Sequence, residues 1–156
     1  MSAAPPTSSH AYGVGILAVI VAVGAGIVYY QMYYLPESLA KPSVDEHILD
    51  PVGTTEISII MGSDGVDQAD NYLPKLPHIE LTKNNLVVWT NDDATPHTIT
   101  PDHRHSDSYS GPFGSNGVIM QGETYEFLFT EEGEISYHCT PHPWMKGTLT
   151  IAKSRG

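Results

Sequence analysis

Apolar residues form one unbroken run near the start of the chain and an alternating pattern from Thr54 onward. The run, residues 11–35, carries no charge. At about 25 residues it is long enough to cross a ~30 Å hydrocarbon core as a helix. Tyr12 stands at one end and Tyr29, Tyr30, Tyr33 and Tyr34 cluster at the other, the placement expected of aromatic residues at membrane–water interfaces. After residue 54 the pattern predicts short strands at 56–61, 78–82, 86–90, 97–100, 117–120, 124–130, 134–139 and 148–152, separated by Gly, Pro, Asn and Asp. Many short strands at this spacing predict an all-β sandwich or barrel. Segments 62–77 and 101–116 read as irregular, the second a polar loop with Phe113 as its one large apolar anchor.

The pattern divides the chain into a disordered lead (1–10), a transmembrane anchor (11–35), a proline-bearing linker (36–53, with a short helical turn near 44–49) and a β domain (54–156). A cleaved signal peptide would show a basic leading region and a shorter apolar core, so a retained anchor fits the run better. A buried core helix would have no need of a tyrosine belt. Lys41 is the only basic residue near the run, and by the positive-inside rule it would place the C-terminal side in the cytoplasm.

Charge changes the picture in one respect. No Lys, Arg, Asp or Glu precedes Glu37, so the formal net charge of −11 belongs to the remainder of the chain. This excludes the basic footprint of a nucleic-acid binder and argues against docking on an anionic bilayer through a basic patch. It suits partners with basic docking patches. The single cysteine, Cys139, excludes an intrachain disulfide, a structural zinc site built on several cysteines and a two-copper site bridged by two thiolates.

Around that cysteine the sequence runs Tyr-His-Cys-Thr-Pro-His-Pro-Trp-Met-Lys-Gly, so His142 follows Cys139 by three residues and Met145 follows His142 by three more. Upstream, Pro96-His97-Thr98 offers a second imidazole. A thiolate, two imidazoles and a weak thioether are the ligand set of a mononuclear blue-copper site that cycles between Cu(I) and Cu(II). Zinc also accepts thiolate and imidazole but rarely a thioether. Pro141 and Pro143 stiffen the loop, which keeps the ligand geometry similar in both oxidation states. His97 can reach the loop only once the β domain has folded.

The same string resembles the copper loop of amicyanin-type cupredoxins. Residues 87–98 (VVWTNDDATPHT) resemble the strand and loop that carry that family's first histidine, and residues 122–127 and 133–137 resemble its next two strands. The membrane anchor and acidic composition also resemble archaeal membrane-anchored blue copper proteins. The resemblance implies a Greek-key β-sandwich and a type 1 copper held by His97, Cys139, His142 and Met145. It further implies one-electron transfer without catalysis and an extracytoplasmic location, which overrides the Lys41 argument. It also implies that Asn91 ties the two ligand loops together and that the backbone N–H of Thr98 donates to the cysteine sulfur. An apolar docking rim of Pro96, Pro141, Pro143 and Trp144 would surround His142. Two other functions stay open at this level: copper delivery, and catalysis at a copper with an open coordination position. His103 and His105 match no ligand and read as solvated.

Overall fold

A computed structural model describes residues 9–39 and 43–154. Most of the expected lead, and Lys41 with it, lies outside the described residues. The chain divides into two compact units at about Lys41.

The first unit is helical. Helix α1 (Ser9–Tyr29) runs into a π-helical turn (Tyr30–Tyr34) and a short helix α2 (Leu35–Leu39). Pro36 accounts for the wider turn: it has no N–H for the Met32 carbonyl and its ring crowds that carbonyl. The Leu35 N–H bonds instead to the Tyr30 carbonyl, five residues back. Stacked pairs Tyr29/Tyr33 and Tyr30/Tyr34 follow from four-residue spacing. Residues from Gly13 to Leu39 are long and apolar enough to cross a membrane, and none of their apolar window is buried.

The second unit is a β-sandwich of two mixed four-stranded sheets. The first sheet is built from β1 (Thr54–Ile59), β2 (Tyr72–Leu73), β4 (Leu86–Asn91) and β8 (Thr124–Leu128), in the order β2-β1-β4-β8. The second contains β3 (His78–Glu80), β5 (Thr100–Pro101), β9 (Gly133–His138) and β10 (Lys146–Ala152), in the order β3-β10-β9-β5. A separate ribbon pairs β6 (Ser106–Asp107) with β7 (Gly111–Pro112). The pairs β1/β4 and β3/β10 are parallel, because their connections cross between sheets, and the other pairs within the sheets are antiparallel.

Alternation does what the sequence predicts. Along β4, Val87, Trp89 and Asn91 are buried while Leu86, Val88 and Thr90 are partly exposed. Ile57, Ile59, Val87, Trp89, Ile135, Tyr137, Leu149 and Ile151 meet between the sheets. Each such large side chain contributes about 1.5–3 kcal/mol by leaving water. Phe113 is the anchor expected of the 101–116 loop: it is buried against Trp89, Phe127 and Phe129.

Three features differ from the sequence reading. The expected strands at 97–100 and 117–120 reduce mainly to one bridge, His97 to Ile119. The helical turn expected in the linker is α3 (Glu46–Leu49), but from Ile48 on the linker is bonded to the sandwich rather than free: Asn85 Nδ2 donates to Ile48 O and Gly53 N to Lys83 O. His105 is half-buried rather than solvated, because its ring packs near Phe113 and Phe129.

Candidate metal centre

The site forms where β4 and β9 end. Cys139 follows the last residue of β9, and the chain then makes a tight loop before β10 begins at Lys146. Three backbone bonds close the loop: His142 N to Cys139 O at 3.1 Å, Met145 N to His142 O at 2.9 Å and Cys139 N to Met145 O at 3.2 Å. They place His142 on the outside, partly exposed, and Met145 inside, fully buried. Below the loop, Tyr137 lies opposite Gly147, and its hydroxyl accepts a hydrogen bond from Trp89 Nε1 at 3.2 Å.

His97 enters from the other ligand-bearing segment, after β4, and is fully buried. His97 Nδ1, His142 Nδ1 and Cys139 Sγ converge, with separations of 3.1 Å between the nitrogens and 3.6 Å from each nitrogen to sulfur. The point equidistant from corners so spaced lies about 2.0 Å from each, the length of a metal–nitrogen bond. Among the described residues this is the one cluster of three His, Cys, Asp or Glu side chains arranged to hold a metal ion. The donor set is soft and nitrogen-rich, as a copper site requires.

The carboxylate of Asp93 sets the tautomer of His97. Its Oδ2 lies 2.9 Å from His97 Nε2. A carboxylate only accepts, so Nε2 carries the proton and the Nδ1 lone pair faces the cluster. Burial of Asp93 raises its pKa, but hydrogen bonds from Gly62 N, His97 and Ala94 N outweigh burial and leave it lowered. The carboxylate therefore stays ionised at neutral pH and keeps that tautomer in place.

Thr98 N donates to Cys139 Sγ at 3.3 Å. The Thr98 hydroxyl accepts from Thr140 N at 2.9 Å and lies 3.1 Å from the Thr100 hydroxyl, which in turn lies 2.8 Å from the Thr140 hydroxyl. This threonine chain, rather than Asn91, joins the two ligand-bearing segments. Asn91 Nδ2 donates to Thr95 O and Ile119 O, both at 2.9 Å, and its Oδ1 accepts from Asp93 N. Its side chain shapes the loop that carries His97. Around His142, Pro141 and Pro143 are exposed and Pro96 is partly so. Trp144 is 37% exposed and its ring centroid lies 5.3 Å from that of His142.

A family model for copper binding proteins of the plastocyanin/azurin family matches residues 64–152, more than half of the chain and all of the converging side chains. The chain belongs to the plastocyanin/azurin family. This cupredoxin is 33% identical to the amicyanin of Paracoccus denitrificans over 76 residues, covering 48% of this chain and 55% of that relative. It is 28% identical to amicyanin-alpha of Methylorubrum extorquens over 101 residues, covering 65% of this chain and 74% of that one. The chain thus spans only about half the length of the first of these curated relatives. Among solved structures, a purple cupredoxin from Nitrosopumilus maritimus superposes with a TM-score of 0.52 at 33% identity, covering 63% of this chain and 99% of that one. The centre is accordingly a type 1 copper site at His97, Cys139 and His142, with Met145 nearby.

The sequence reading missed Asp93, Thr100 and Thr140. A signal existed for Asp93, which precedes His97 by four residues, a spacing that lets a carboxylate reach back to an imidazole. The threonines carried none, because their bonds join positions about 40 residues apart.

Proposed function

We propose that this cupredoxin is a one-electron carrier held at a membrane by its N-terminal helix, with the copper domain on the extracytoplasmic side. The observation that carries the reading is the convergence of His97 Nδ1, Cys139 Sγ and His142 Nδ1 on one point. These three side chains would hold the copper, with the buried Met145 thioether as a fourth, weaker donor. Bound copper supplies a centre that gains or loses one electron. The chain's part is to keep the ligands still. Asp93 holds His97, the Thr98 N–H holds the sulfur, and Asn91 shapes the loop that carries His97. His142 is the exit edge, and Pro96, Pro141, Pro143 and Trp144 form the docking rim. Partners are redox proteins with basic patches, matched to the acidic domain. The reading divides the chain into an anchor, a tether and a copper domain, the tether ending where Asn85 and Lys83 hold the segment 48–53.

The test uses the full chain in detergent. On adding Cu(II), an intense thiolate-to-copper band is expected, bleached by ascorbate and indifferent to azide. A pale protein would end the copper-carrier reading, and a band that azide shifts would point to an open, reactive copper instead. Mass spectrometry of protein extracted from membranes is expected to find residues 11–35 intact; their loss would make them a signal sequence.

A further inference from the structure

Segment 62–77 bears no ligand, yet its first residues touch both ligand-bearing segments. Gly62 N donates to Asp93 Oδ1 at 3.0 Å, and the other oxygen of Asp93 holds His97. Ser63 O accepts from Trp144 Nε1 at 3.3 Å, and the Trp144 ring packs beside His142, with centroids 5.3 Å apart and planes inclined by 56°. Asp64 Oδ2 accepts from Thr95 Oγ1 at 3.3 Å, two residues before His97.

The turn that makes these contacts is itself fixed. Gly62 has φ +85°, a conformation that a side chain would strain, and its carbonyl accepts from Gly65 N at 3.0 Å. Ser63 is fully buried although it sits in a surface loop. Its hydroxyl lies 2.6 Å from Ile60 O and 3.1 Å from Asn71 O, and Asn71 is buried as well. The Ser63 side chain touches neither imidazole; it serves the turn.

We propose that the turn at 62–64 is a positioning element that braces both copper-facing imidazoles at once. A histidine ring turns about its last torsion within a broad well, so a single bond to backbone does not fix its plane. Asp93 supplies the second point of support for His97, and Trp144 supplies it for His142. Both supports end on adjacent residues of one turn. Disturbing the turn therefore disturbs both rings together, whereas independent supports would fail separately. The proposal rests on the assignment of His97 and His142 as ligands and extends it to a segment outside the ligand loops.

The test is nitrogen–proton correlation NMR of the imidazoles in the metal-free full chain in micelles, alongside the rate at which a chelator removes Cu(I) from the loaded protein. Ser63→Ala removes only the buried hydroxyl. It is expected to shift or broaden the ring signals of both His97 and His142 and to speed Cu(I) loss several-fold. Trp144→Phe keeps a ring beside His142 but removes the N–H; it is expected to move the His142 signals and leave those of His97. Asn85→Ala is the control. Its carboxamide bonds Ile48 O and Phe129 O at the start of β4, away from the site, so it should lower stability without moving either ring. Ser63→Ala leaving either ring unmoved would overturn the proposal, as would Asn85→Ala moving both rings equally. Should Ser63→Ala fail to fold, an unmoved His142 in Trp144→Phe overturns it alone. The metal-free measurement does not depend on copper binding, so its failure is distinct from failure of the copper reading.

Discussion

Two aspartates show what single carboxylates do in this fold. Asp93 orients a ligand, and the prediction for Asp93→Asn follows from its two oxygens. One oxygen accepts from Gly62 N and Ala94 N, so an asparagine places its carbonyl there and turns its NH2 toward His97 Nε2. A donor facing Nε2 favours the tautomer with the proton on Nδ1, where the metal must bind. Loss of such a support costs about 10–100-fold in metal affinity. Competition with a Cu(I) chelator should read that loss, and an unchanged affinity would remove Asp93 from its positioning role. Asp107 has a structural task. It is buried and accepts from Tyr109 N, Ser110 N, Thr130 N and the Thr130 hydroxyl. Burial raises its pKa, but these bonds outweigh burial and leave it lowered. A lowered folded-state pKa means stabilisation that is full above the unfolded value of about 3.9 and fades as pH falls through the folded value. Asp107→Asn should therefore cost about 1–3 kcal/mol at pH 7, because its NH2 cannot accept. The gap between the urea midpoints of wild type and variant should narrow as pH falls below 4; a gap that stays constant would show that ionisation is not the source.

At the scale of elements, the strand pair β9/β10 presents the ligand loop, and its packing depends on a missing side chain. A Cβ on Gly147 would overlap the phenol ring of Tyr137, whose hydroxyl is held by Trp89. Gly147 needs no left-handed backbone, so alanine there gains about 0.4–1 kcal/mol from the unfolded chain. Overpacking costs about 1–3 kcal/mol and wins. Gly147→Ala should lower the urea midpoint and alter near-ultraviolet dichroism from Trp89 and Tyr137, and a variant as stable as wild type would contradict this. The strands that present the site were legible in sequence for a physical reason: β1, β4, β9 and β10 each bury one face, which stamps a period of two on the residues. Strands β2, β6 and β7 are two residues long and carry no period, so only their partners define them. The ligand set was legible because Cys139, His142 and Met145 lie at fixed spacing in one loop. Of the bonds that orient it, the one from Thr98 N–H to sulfur was expected through the resemblance, whereas those of Ser63 and Trp144 were not, because these residues meet only after the two sheets have stacked.

The whole molecule joins a charge-free helix to a second unit, residues 42–156, that carries the whole formal net charge of −11. An anionic leaflet attracts basic segments and repels a surface of this sign, so the apolar helix rather than charge would be the means of holding the domain at a membrane. The same acidity acts on soluble partners. Carboxylates of the copper-bearing unit create a field that extends about 10 Å at 0.1 M salt and shrinks as salt rises. Encounter with a partner bearing a lysine- or arginine-rich patch is then faster than diffusion of neutral surfaces at low salt, by about ten-fold or more. The bimolecular rate of electron exchange with a small basic haem protein, measured by stopped flow, should fall about ten-fold between about 0.01 M and about 0.3 M salt. An acidic haem protein of similar potential should give the opposite slope, because screening then relieves repulsion. Two flat salt profiles would mean that the charge serves solubility alone and that recognition lies in the apolar ring of Pro96, Pro141, Pro143 and Trp144. Opposite slopes would place the first step of recognition in the field of the domain and leave the apolar ring the later task of close approach to His142.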